Sequence, residues 1–263
     1  MSKFVTLEEL AAVVEDGQNV ALGGMTMYRR PVGYVRALLR RDVRPRDLTL
    51  VCFTAGIESD LLVGANCVKA VRSVYFGLES FGLAPMFTEK ANRGEITIIE
   101  ETEASIAMGL RAKLSNIGFM PSSAWKGTDL PALRPDVKTI IDPYSGEELF
   151  AFPAIPIDVA VVHGLVADKE GNVLLNNNQG VDLELLFAAK KPIATVEKVV
   201  DKLERTTEGT LIPSAVFYQI AVVPEGASPT SCYPYYSIRG GQILDYIDAC
   251  NAGNFEGFLE TFV

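Results

Sequence analysis

The sequence predicts an α/β fold: an open, mostly parallel sheet with helices on both faces, plus a small hairpin insertion near residues 138–152. Short apolar segments alternate along the chain with segments of helical periodicity, an order that is typical of a parallel sheet. Residues 157–162 form a continuous apolar run, which indicates a strand buried on both faces. Because 48% of the 263 residues are hydrophobic and no repeat or linker interrupts them, we expect a single domain over residues 1–263.

The first half of the chain provides an alternating series of helices and strands. Thr6 and Glu9 have the spacing of a capping box and mark the start of the first helix. The first strand leads directly into a glycine pair, and Pro31 suits the first turn of the helix that follows. In chain order we predict helix 7–14, strand 19–22, helix 32–41, strands 48–53 and 68–76, helix 86–92, strand 96–99 and helix 103–116.

The second half opens with a hairpin pattern. Residues 138–142 and 148–152 flank the turn sequence P-Y-S-G, so we expect a hairpin at a sheet edge or on an inserted flap. The apolar run at 157–162 then resumes the parallel sheet. The remaining predicted elements are helix 181–189, strands 193–199 and 217–223, and helices 241–249 and 254–261.

Charge and composition exclude several classes of function. A net charge of −9, an isoelectric point near 4.8 and the lack of a basic tract argue against a nucleic-acid partner. No apolar run approaches ~18 residues and the first residues lack the apolar region of a signal peptide, so we expect no membrane segment and a cytoplasmic protein. The four cysteines show neither CxxC pairing nor zinc spacing and His163 is the only histidine, so we expect reduced thiols and no metal.

Residues 23–30, between the first strand and the second helix, are the first candidate binding site. A glycine pair before a helix can leave backbone N–H groups free, and such a terminus binds anions well. Arg29 and Arg30 add positive charge, and Thr26 and Tyr28 add hydroxyls, which would suit a carboxylate or a phosphate. A tight turn required by packing is the alternative explanation of the glycines. The candidate substrate-binding residues here are Gly23, Gly24, Thr26, Arg29 and Arg30.

Acidic residues at two further strand ends are candidates for chemistry. Glu79 and Ser80 follow the third predicted strand, where a carboxylate can act on a bound substrate, and we include both as substrate-binding candidates. Glu100 and Glu103 lie where the fourth strand ends and a helix begins. The helix macrodipole favours acidic residues there for structural reasons alone, but clustered carboxylates also raise at least one pKa. Glu103 and Glu100 are therefore the candidate catalytic carboxylates of this chain.

Two loops in the second half have distinctive motifs. In A-D-K-E-G-N, Asp168 suits local backbone hydrogen bonds and Gly171 suits a positive φ, so we expect a tight turn. His163 ends the preceding strand, a position more typical of a structural histidine than of a base. Residues 222–236, V-V-P-E-G-A-S-P-T-S-C-Y-P-Y-Y, combine hydroxyls with turn-forming residues. Such a loop at a strand end forms either a binding wall or a loop packed by its own aromatic rings.

These two loops, together with A-T-V-E-K-V-V at residues 194–200, resemble the α subunit of class I CoA-transferases, in particular the glutaconate CoA-transferase branch. The resemblance extends over nearly the whole chain. Glu225 and Ser228 depart from the family pattern A-P-G-G-A-H-P-T-S-C-Y, where Gly and His stand, which leaves the substrate class open. The chain also resembles the α subunit of steroid-ring-cleaving CoA-ester hydrolases, which places acidic residues where Glu100 and Glu103 lie.

The resemblance implies a heteromeric enzyme with coenzyme A as a substrate and no permanently bound cofactor. A β subunit of the same fold would complete the site, and the substrates would be an acyl-CoA and a carboxylic acid. In that family the nucleophile is a β-subunit glutamate within an S-E-N-G motif, which this chain lacks, so Glu79 is expected to be a wall or interface residue. The alternatives are a hydrolase that cleaves a carbon–carbon bond in a cyclic CoA ester, a decarboxylase on the same fold, and a sugar-phosphate isomerase or sugar-responsive regulator.

Overall fold

The computed structural model describes residues 3–204 and 208–263, so residues 1, 2 and 205–207 of the predicted domain lie outside the description. The elements of the first half are α1 (Leu7–Ala11), β1 (Asn19–Leu22), α2 (Val32–Leu39), β2 (Leu48–Ala55), α3 (Ile57–Gly64), β3 (Val68–Phe76), α4 (Pro85–Asn92), β4 (Thr97–Glu100), α5 (Glu103–Leu114) and β5 (Phe119–Ser122). Those of the second half are α6 (Leu130–Leu133), β6 (Lys138–Ile141), β7 (Glu148–Pro153), β8 (Ile157–Gly164), β9 (Val166–Asp168), β10 (Val173–Leu175), α7 (Asp182–Ala188), β11 (Ala189–Val196), β12 (Val199–Val200), β13 (Thr210–Ile212), β14 (Gln219–Val222), α8 (Gly240–Asn251) and α9 (Phe255–Phe262).

The main sheet is parallel throughout. Within the described residues its strand order is β14-β11-β8-β1-β2-β3-β4, and every neighbouring pair runs in the same direction. The chain enters at the centre with β1, builds outward to β4, and then returns to β8 beside β1 to build the other half. All carboxyl ends therefore lie at one edge of the sheet, and the predicted fold class is confirmed.

Two hydrophobic cores cover the two faces of this sheet. Successive residues of a strand point to opposite faces. Val20 and Leu22 of β1 accordingly pack in one core with α1, α2, α3, α8 and α9, whereas Ala21 packs in the other with α5 and α7. The continuous apolar run of β8 is buried on both sides, as its sequence predicts. Strands β1 and β8 thus form a rigid base for the loops at their carboxyl ends.

Two small sheets are attached to this body. Strands β5, β7 and β6 form an antiparallel sheet, which confirms the predicted hairpin and adds β5 as a third strand. Trp125 and Phe152 lie in its core with ring centroids 4.8 Å apart, and Trp125 Nε1 donates to Thr102 Oγ1 at 3.0 Å. A second sheet, in the order β12-β9-β10-β13, packs into the same core as α5 and α7.

Helix α3 was not predicted. All eight of its residues are buried, so its sequence I-E-S-D-L-L-V-G shows no alternation of polar and apolar faces. Glu58 pairs with the buried Arg30, and Asp60 accepts a hydrogen bond from Tyr246 at 2.6 Å. These partners are distant in sequence, so the polar residues of α3 gave no local sign that the helix is internal.

Three expectations of a more general kind can be compared with the structure. The capping box of Thr6 and Glu9 at α1 is confirmed. The four cysteines are free thiols, and Cys52 and Cys67 are buried as expected. None of the helices in the described part of the chain combines the length and the apolar character needed to cross a bilayer.

Candidate active site

A cavity of about 510 Å³ lies outside the carboxyl ends of the parallel strands, the edge at which open α/β folds bind ligands. Its walls come from the segments that follow β1, β3 and β14. The lining is rich in hydroxyls and aromatic rings, and among the described residues it includes no lysine or arginine. The lining residues are Thr26, Met27, Tyr28, Glu79, Ser80, Phe81, Ser231, Tyr233, Tyr236, Ser237 and Ile238.

The glycine pair after β1 is shaped by close packing. Gly24 has a φ of +86°, and a Cβ atom on Gly23 would lie 2.6 Å from Asp182 Oδ1. The N–H of Gly23 donates to a backbone carbonyl of β8 at 2.9 Å, and that of Gly24 donates to Asp182 Oδ1 at 2.8 Å. The N–H of Thr26 donates to Thr54 Oγ1 at 2.9 Å. The expectation that this turn leaves these N–H groups free was therefore wrong, because the protein itself supplies their acceptors.

The side chains of Arg29 and Arg30 are fully buried, and neither is among the described residues that line the cavity. Arg29 Nη2 lies 2.9 Å from Asp182 Oδ2. Arg30 pairs with Glu58 and also donates to the Gly24 carbonyl at 2.9 Å. Burial alone would lower the pKa of Arg30, but the attraction and hydrogen bond of Glu58 outweigh it and the pKa is raised. Both guanidinium groups contact protein rather than the cavity, and their predicted role in substrate binding stays a prediction, as does that of the glycine pair.

Glu79 and Ser80 lie on a 3₁₀ turn, Glu79–Phe81, that follows β3. Both residues are exposed and line the cavity. Glu79 has a φ of +55°, and its N–H donates to the Tyr75 hydroxyl at 3.2 Å. Thr26 lines the same space from the first loop, so the structure brings together three of the predicted substrate-binding residues.

The acidic residues 100–103 lie apart from the cavity. Glu100 ends the edge strand β4 and Glu103 is the exposed first residue of α5; neither is among the described residues that line the cavity. Glu101 between them is buried, and its Oε1 lies 2.5 Å from Arg72 Nη1 and 2.7 Å from Arg134 Nη1. Glu101 was not among the predicted site residues, because its arginine partners are remote in sequence. The catalytic role of Glu100 and Glu103 stays a prediction.

Residues 225–236 contribute a further wall of the cavity. Ser231, Tyr233 and Tyr236 line the cavity from this loop. The N–H of Arg29 donates to the Ser231 carbonyl at 2.8 Å, and the N–H of Ser231 donates to the Met27 carbonyl at 2.9 Å. Backbone hydrogen bonds thus join this loop to the loop after β1, so the two walls form one continuous surface.

A buried polar cluster lies behind this wall. One ligand atom from each of His163, Glu197 and Cys232 lies within 4.8 Å of the others, a spacing that could hold a metal ion and that the linear sequence does not reveal. Burial, with a contribution from Glu197, raises the pKa of the Cys232 thiol to about 12, whereas a metal-binding cysteine is a thiolate. His163 Nε2 lies 2.7 Å from Glu197 Oε1 and Nδ1 lies 2.8 Å from Thr195 Oγ1, so protein atoms already occupy both ring nitrogens.

The turn after β9 has the predicted structure. Asp168 Oδ1 accepts hydrogen bonds from the N–H groups of Glu170 at 3.1 Å and Asn172 at 3.0 Å, and Gly171 has a φ of +89°. These local hydrogen bonds lower the pKa of Asp168 although burial opposes them. The turn therefore shapes the small second sheet and not the cavity wall.

A family model described as Coenzyme A transferase matches residues 4–222, which is well over half of the chain. This chain belongs to the coenzyme A transferase family. The A subunit of 3-oxoadipate CoA-transferase from Pseudomonas knackmussii is 33% identical over 240 residues, 90% of this chain and 84% of the relative. The cholesterol ring-cleaving hydrolase IpdA subunit of Rhodococcus jostii is 33% identical over 216 residues, 77% of this chain and 70% of the relative.

One of the similar solved structures is also a CoA-transferase. Glutaconate coenzyme A-transferase from Acidaminococcus fermentans has a TM-score of 0.89 and 26% sequence identity, with 99% of this chain and 88% of that chain covered. The resemblance drawn from the loop motifs is confirmed. The chain is an enzyme subunit, and since its relatives are themselves subunits of larger enzymes, a partner chain is implied.

Proposed function

We propose that this chain is the α subunit of a heteromeric CoA-transferase that moves coenzyme A between an acyl-CoA and a carboxylic acid. The observation that carries this proposal is the cavity that Thr26, Glu79 and Ser80 share with the loop at 225–236. Its hydroxyls and aromatic rings suit the acyl part of a thioester, but no cationic side chain of the described lining could neutralise a CoA phosphate. A second subunit would supply both that contact and the nucleophile.

The reaction would then proceed through a glutamate of the β subunit. Its carboxylate attacks the thioester carbonyl, which forms an acyl-glutamyl anhydride and releases the CoA thiolate. The thiolate attacks the glutamyl carbonyl, so the donor acid leaves and a glutamyl-CoA thioester remains. The acceptor carboxylate repeats these steps in reverse. In this chain Thr26 and Ser80 offer hydroxyl donors at the cavity surface for the oxygen on which negative charge develops.

Further features belong to the same proposal. Coenzyme A is a substrate and not a permanently bound cofactor, and the partner is a β subunit of the same fold in a cytoplasmic enzyme. Residues 1–263 act as one domain, which is supported by the packing of Val173 and Ile212 of the second sheet into the core beneath the main sheet.

Hydrolysis of a carbon–carbon bond in a cyclic CoA ester is the second candidate function. It is supported by the 33% identity to the Rhodococcus jostii IpdA subunit and by the exposed carboxylate of Glu103 at the start of α5. In that case Glu103 or Glu100 would act as a base in this chain, and the partner would need no nucleophilic glutamate.

Trapping of the covalent intermediate distinguishes CoA transfer from hydrolysis. The complex of this chain with its β subunit is incubated with an acyl-CoA and then with borohydride or hydroxylamine. A transferase is inactivated only when the acyl-CoA is present, and the modified glutamate is found in the β chain by peptide mass spectrometry. Full activity after this treatment, under turnover conditions, would contradict the transferase.

A further inference from the structure

Glu197 lies directly behind the wall formed by residues 225–236. It follows β11, and its side chain is only 8% exposed. Its Oε1 accepts hydrogen bonds from the Tyr236 hydroxyl at 2.5 Å and from His163 Nε2 at 2.7 Å, and its Oε2 accepts one from the N–H of Glu225 at 2.6 Å. One carboxylate therefore joins the first residue of the loop, the last residue of the loop and the central sheet.

His163 connects Glu197 to the sheet. It lies near the end of β8, and its ring packs so closely on the loop that a Cβ atom on Gly226 would be 2.6 Å from Cε1. Burial lowers the pKa of His163 more than Glu197 raises it, and hydrogen bonds from His163 and Tyr236 lower the pKa of Glu197 although burial opposes them. The pair is thus a neutral imidazole and a carboxylate, in which Nε2–H donates to Glu197 and Nδ1 accepts from the Thr195 hydroxyl.

Tyr236 connects Glu197 to the cavity. Its side chain lines the cavity, whereas its hydroxyl donates to Glu197 and accepts from the N–H of Ala227 at 3.0 Å. The hydroxyl is therefore already committed to the protein and presents no proton to a substrate. Tyr236 therefore contributes to the cavity through the position of its side chain. Glu197 determines that position.

We propose that Glu197 is a positioning residue that, backed by His163, holds Tyr236 and residues 225–236 in place as the substrate-binding wall of the cavity. This inference depends on the proposed function in one respect, the identity of the substrate that contacts the wall. A buried carboxylate with three donors is strongly preferred over a neutral amide, because hydrogen bonds to a charged acceptor are stronger than hydrogen bonds between neutral groups. Loss of the charge should loosen the loop without touching the reacting atoms.

The kinetic test compares Glu197→Gln, Tyr236→Phe and the control Glu170→Gln in the complex with the β subunit. Glu170 is exposed on the turn after β9. We expect the KM for acyl-CoA to rise about tenfold in the first two variants, as the loss of one charge-assisted hydrogen bond implies, with kcat changed less than about threefold. The control keeps both constants. A collapse of kcat with an unchanged KM would overturn the proposal, because it would make Tyr236 or Glu197 catalytic.

A second measurement does not depend on the reaction. The N–H groups of Glu225 and Ala227 are held by Glu197 and by the Tyr236 hydroxyl, respectively. Hydrogen exchange of these two amides should be about tenfold faster in Glu197→Gln, and that of Ala227 also in Tyr236→Phe, while the amides of β8 stay protected. If exchange of the Ala227 amide were unchanged in Tyr236→Phe, the positioning role of Glu197 would be overturned. This holds even if Glu197→Gln failed to fold. If the wild-type complex did not act on acyl-CoA, the proposed function would fail while this result would still stand.

The metal-binding alternative is tested in the same series. Zn²⁺ would have to displace the hydrogen bonds of His163 and Glu197 and deprotonate Cys232, so we expect one equivalent of Zn²⁺ to leave the melting temperature of the wild-type chain unchanged. A Zn²⁺-dependent rise in melting temperature that Cys232→Ser abolishes would overturn the proposal, since the cluster would then be a metal site.

Discussion

Arg29 Nη2 lies 2.9 Å from Asp182 Oδ2, and both side chains are excluded from solvent. The other carboxylate oxygen of Asp182 accepts the N–H of Gly24, and Arg29 donates in addition to Asn176 Oδ1 at 2.8 Å and to the His163 carbonyl at 2.9 Å. The pair thereby joins the loop after β1, the start of α7 and the end of β8. Arg29, which was predicted to bind substrate, thus connects three buried segments of the fold.

Asp182→Asn should destabilise the protein strongly. The substitution leaves the Arg29 guanidinium buried without a counter-charge, which typically costs about 3–5 kcal/mol. Urea unfolding at pH 7, followed by circular dichroism, measures the free energy of unfolding. Glu184→Gln in the first turn of the same helix is the control and should cost only about 0.3–1 kcal/mol, the contribution of an acidic residue near a helix N-terminus.

The opposite result would support a substrate-binding role for Arg29. If Arg29→Lys raised the KM for the carboxylate substrate and left the free energy of unfolding unchanged, the guanidinium would have to reach the cavity. The buried guanidinium has four partners, since it also donates to the Asn178 carbonyl, and this geometry predicts the reverse, namely a lower stability for Arg29→Lys, because an ammonium cannot reproduce the planar set of donors.

Gly23→Ala tests whether the glycine pair serves packing. The added Cβ would lie 2.6 Å from Asp182 Oδ1 and 2.8 Å from Val162 Cγ1, so we expect a loss of about 1–3 kcal/mol in the free energy of unfolding. Gly241→Ala in α8 is the matched control, because its Cβ meets no atom within 4 Å and alanine favours the helix. The two alanines should shift the urea midpoint in opposite directions, and equal shifts would refute the packing explanation.

The sheet could be predicted from the sequence because its signal is local. Each buried strand is a short apolar run, and the hairpin is marked by its turn residues, so β8 and the pair β6–β7 were recognisable without tertiary information. Helix α3 was not, because Glu58 and Asp60 are internal only by virtue of Arg30 and Tyr246, which lie elsewhere in the chain.

The residues of the candidate site also differ in how far they could be predicted from the sequence. Loops at the carboxyl ends of parallel strands converge by topology, so Thr26, Glu79 and Ser80 could be placed near one another in advance. Glu197 could not be identified as their support, because its partners His163 and Tyr236 are 34 and 39 residues away in sequence. Its role depends on which strands are neighbours and on the path of a loop, which residue types alone do not determine.

Asp60 should make stability depend on pH. It is fully buried, and burial raises its pKa to about 6 although Tyr246 and the N–H groups of Phe87 and Met86 donate to it. A carboxyl whose pKa is higher in the folded than in the unfolded state stabilises the fold below about pH 4 and loses that contribution as the pH rises to about 6. The loss amounts to about 3 kcal/mol, at roughly 1.4 kcal/mol per pH unit.

Urea unfolding of the wild type and Asp60→Asn between pH 4 and pH 7 measures this effect. The free energy of unfolding of the wild type, relative to that of Asp60→Asn, should decrease as the pH rises, since the asparagine does not titrate. Asp245 is exposed on α8 next to Tyr246 and serves as the control. The difference in the free energy of unfolding between the wild type and Asp245→Asn should show no such trend. A constant difference between wild type and Asp60→Asn would mean that the three donors keep the carboxyl at its ordinary pKa.

Glu103 distinguishes the two candidate reactions. Its carboxylate is exposed in the first turn of α5, where it interacts with the helix macrodipole, so Glu103→Gln should cost only about 0.3–1 kcal/mol of stability. If the nucleophile belongs to the β subunit, the complex should retain its transferase activity within about threefold in Glu103→Gln, in Glu100→Gln and in the exposed control Glu95→Gln. A general base in this chain typically contributes about 100-fold or more, so a loss of that size in Glu103→Gln or Glu100→Gln, with Glu95→Gln unaffected, would assign the chemistry to residues 100–103 and favour hydrolysis. The assay must therefore follow both products, the transferred thioester and the ring-opened CoA ester, because the ratio of the two and not their sum separates the reactions.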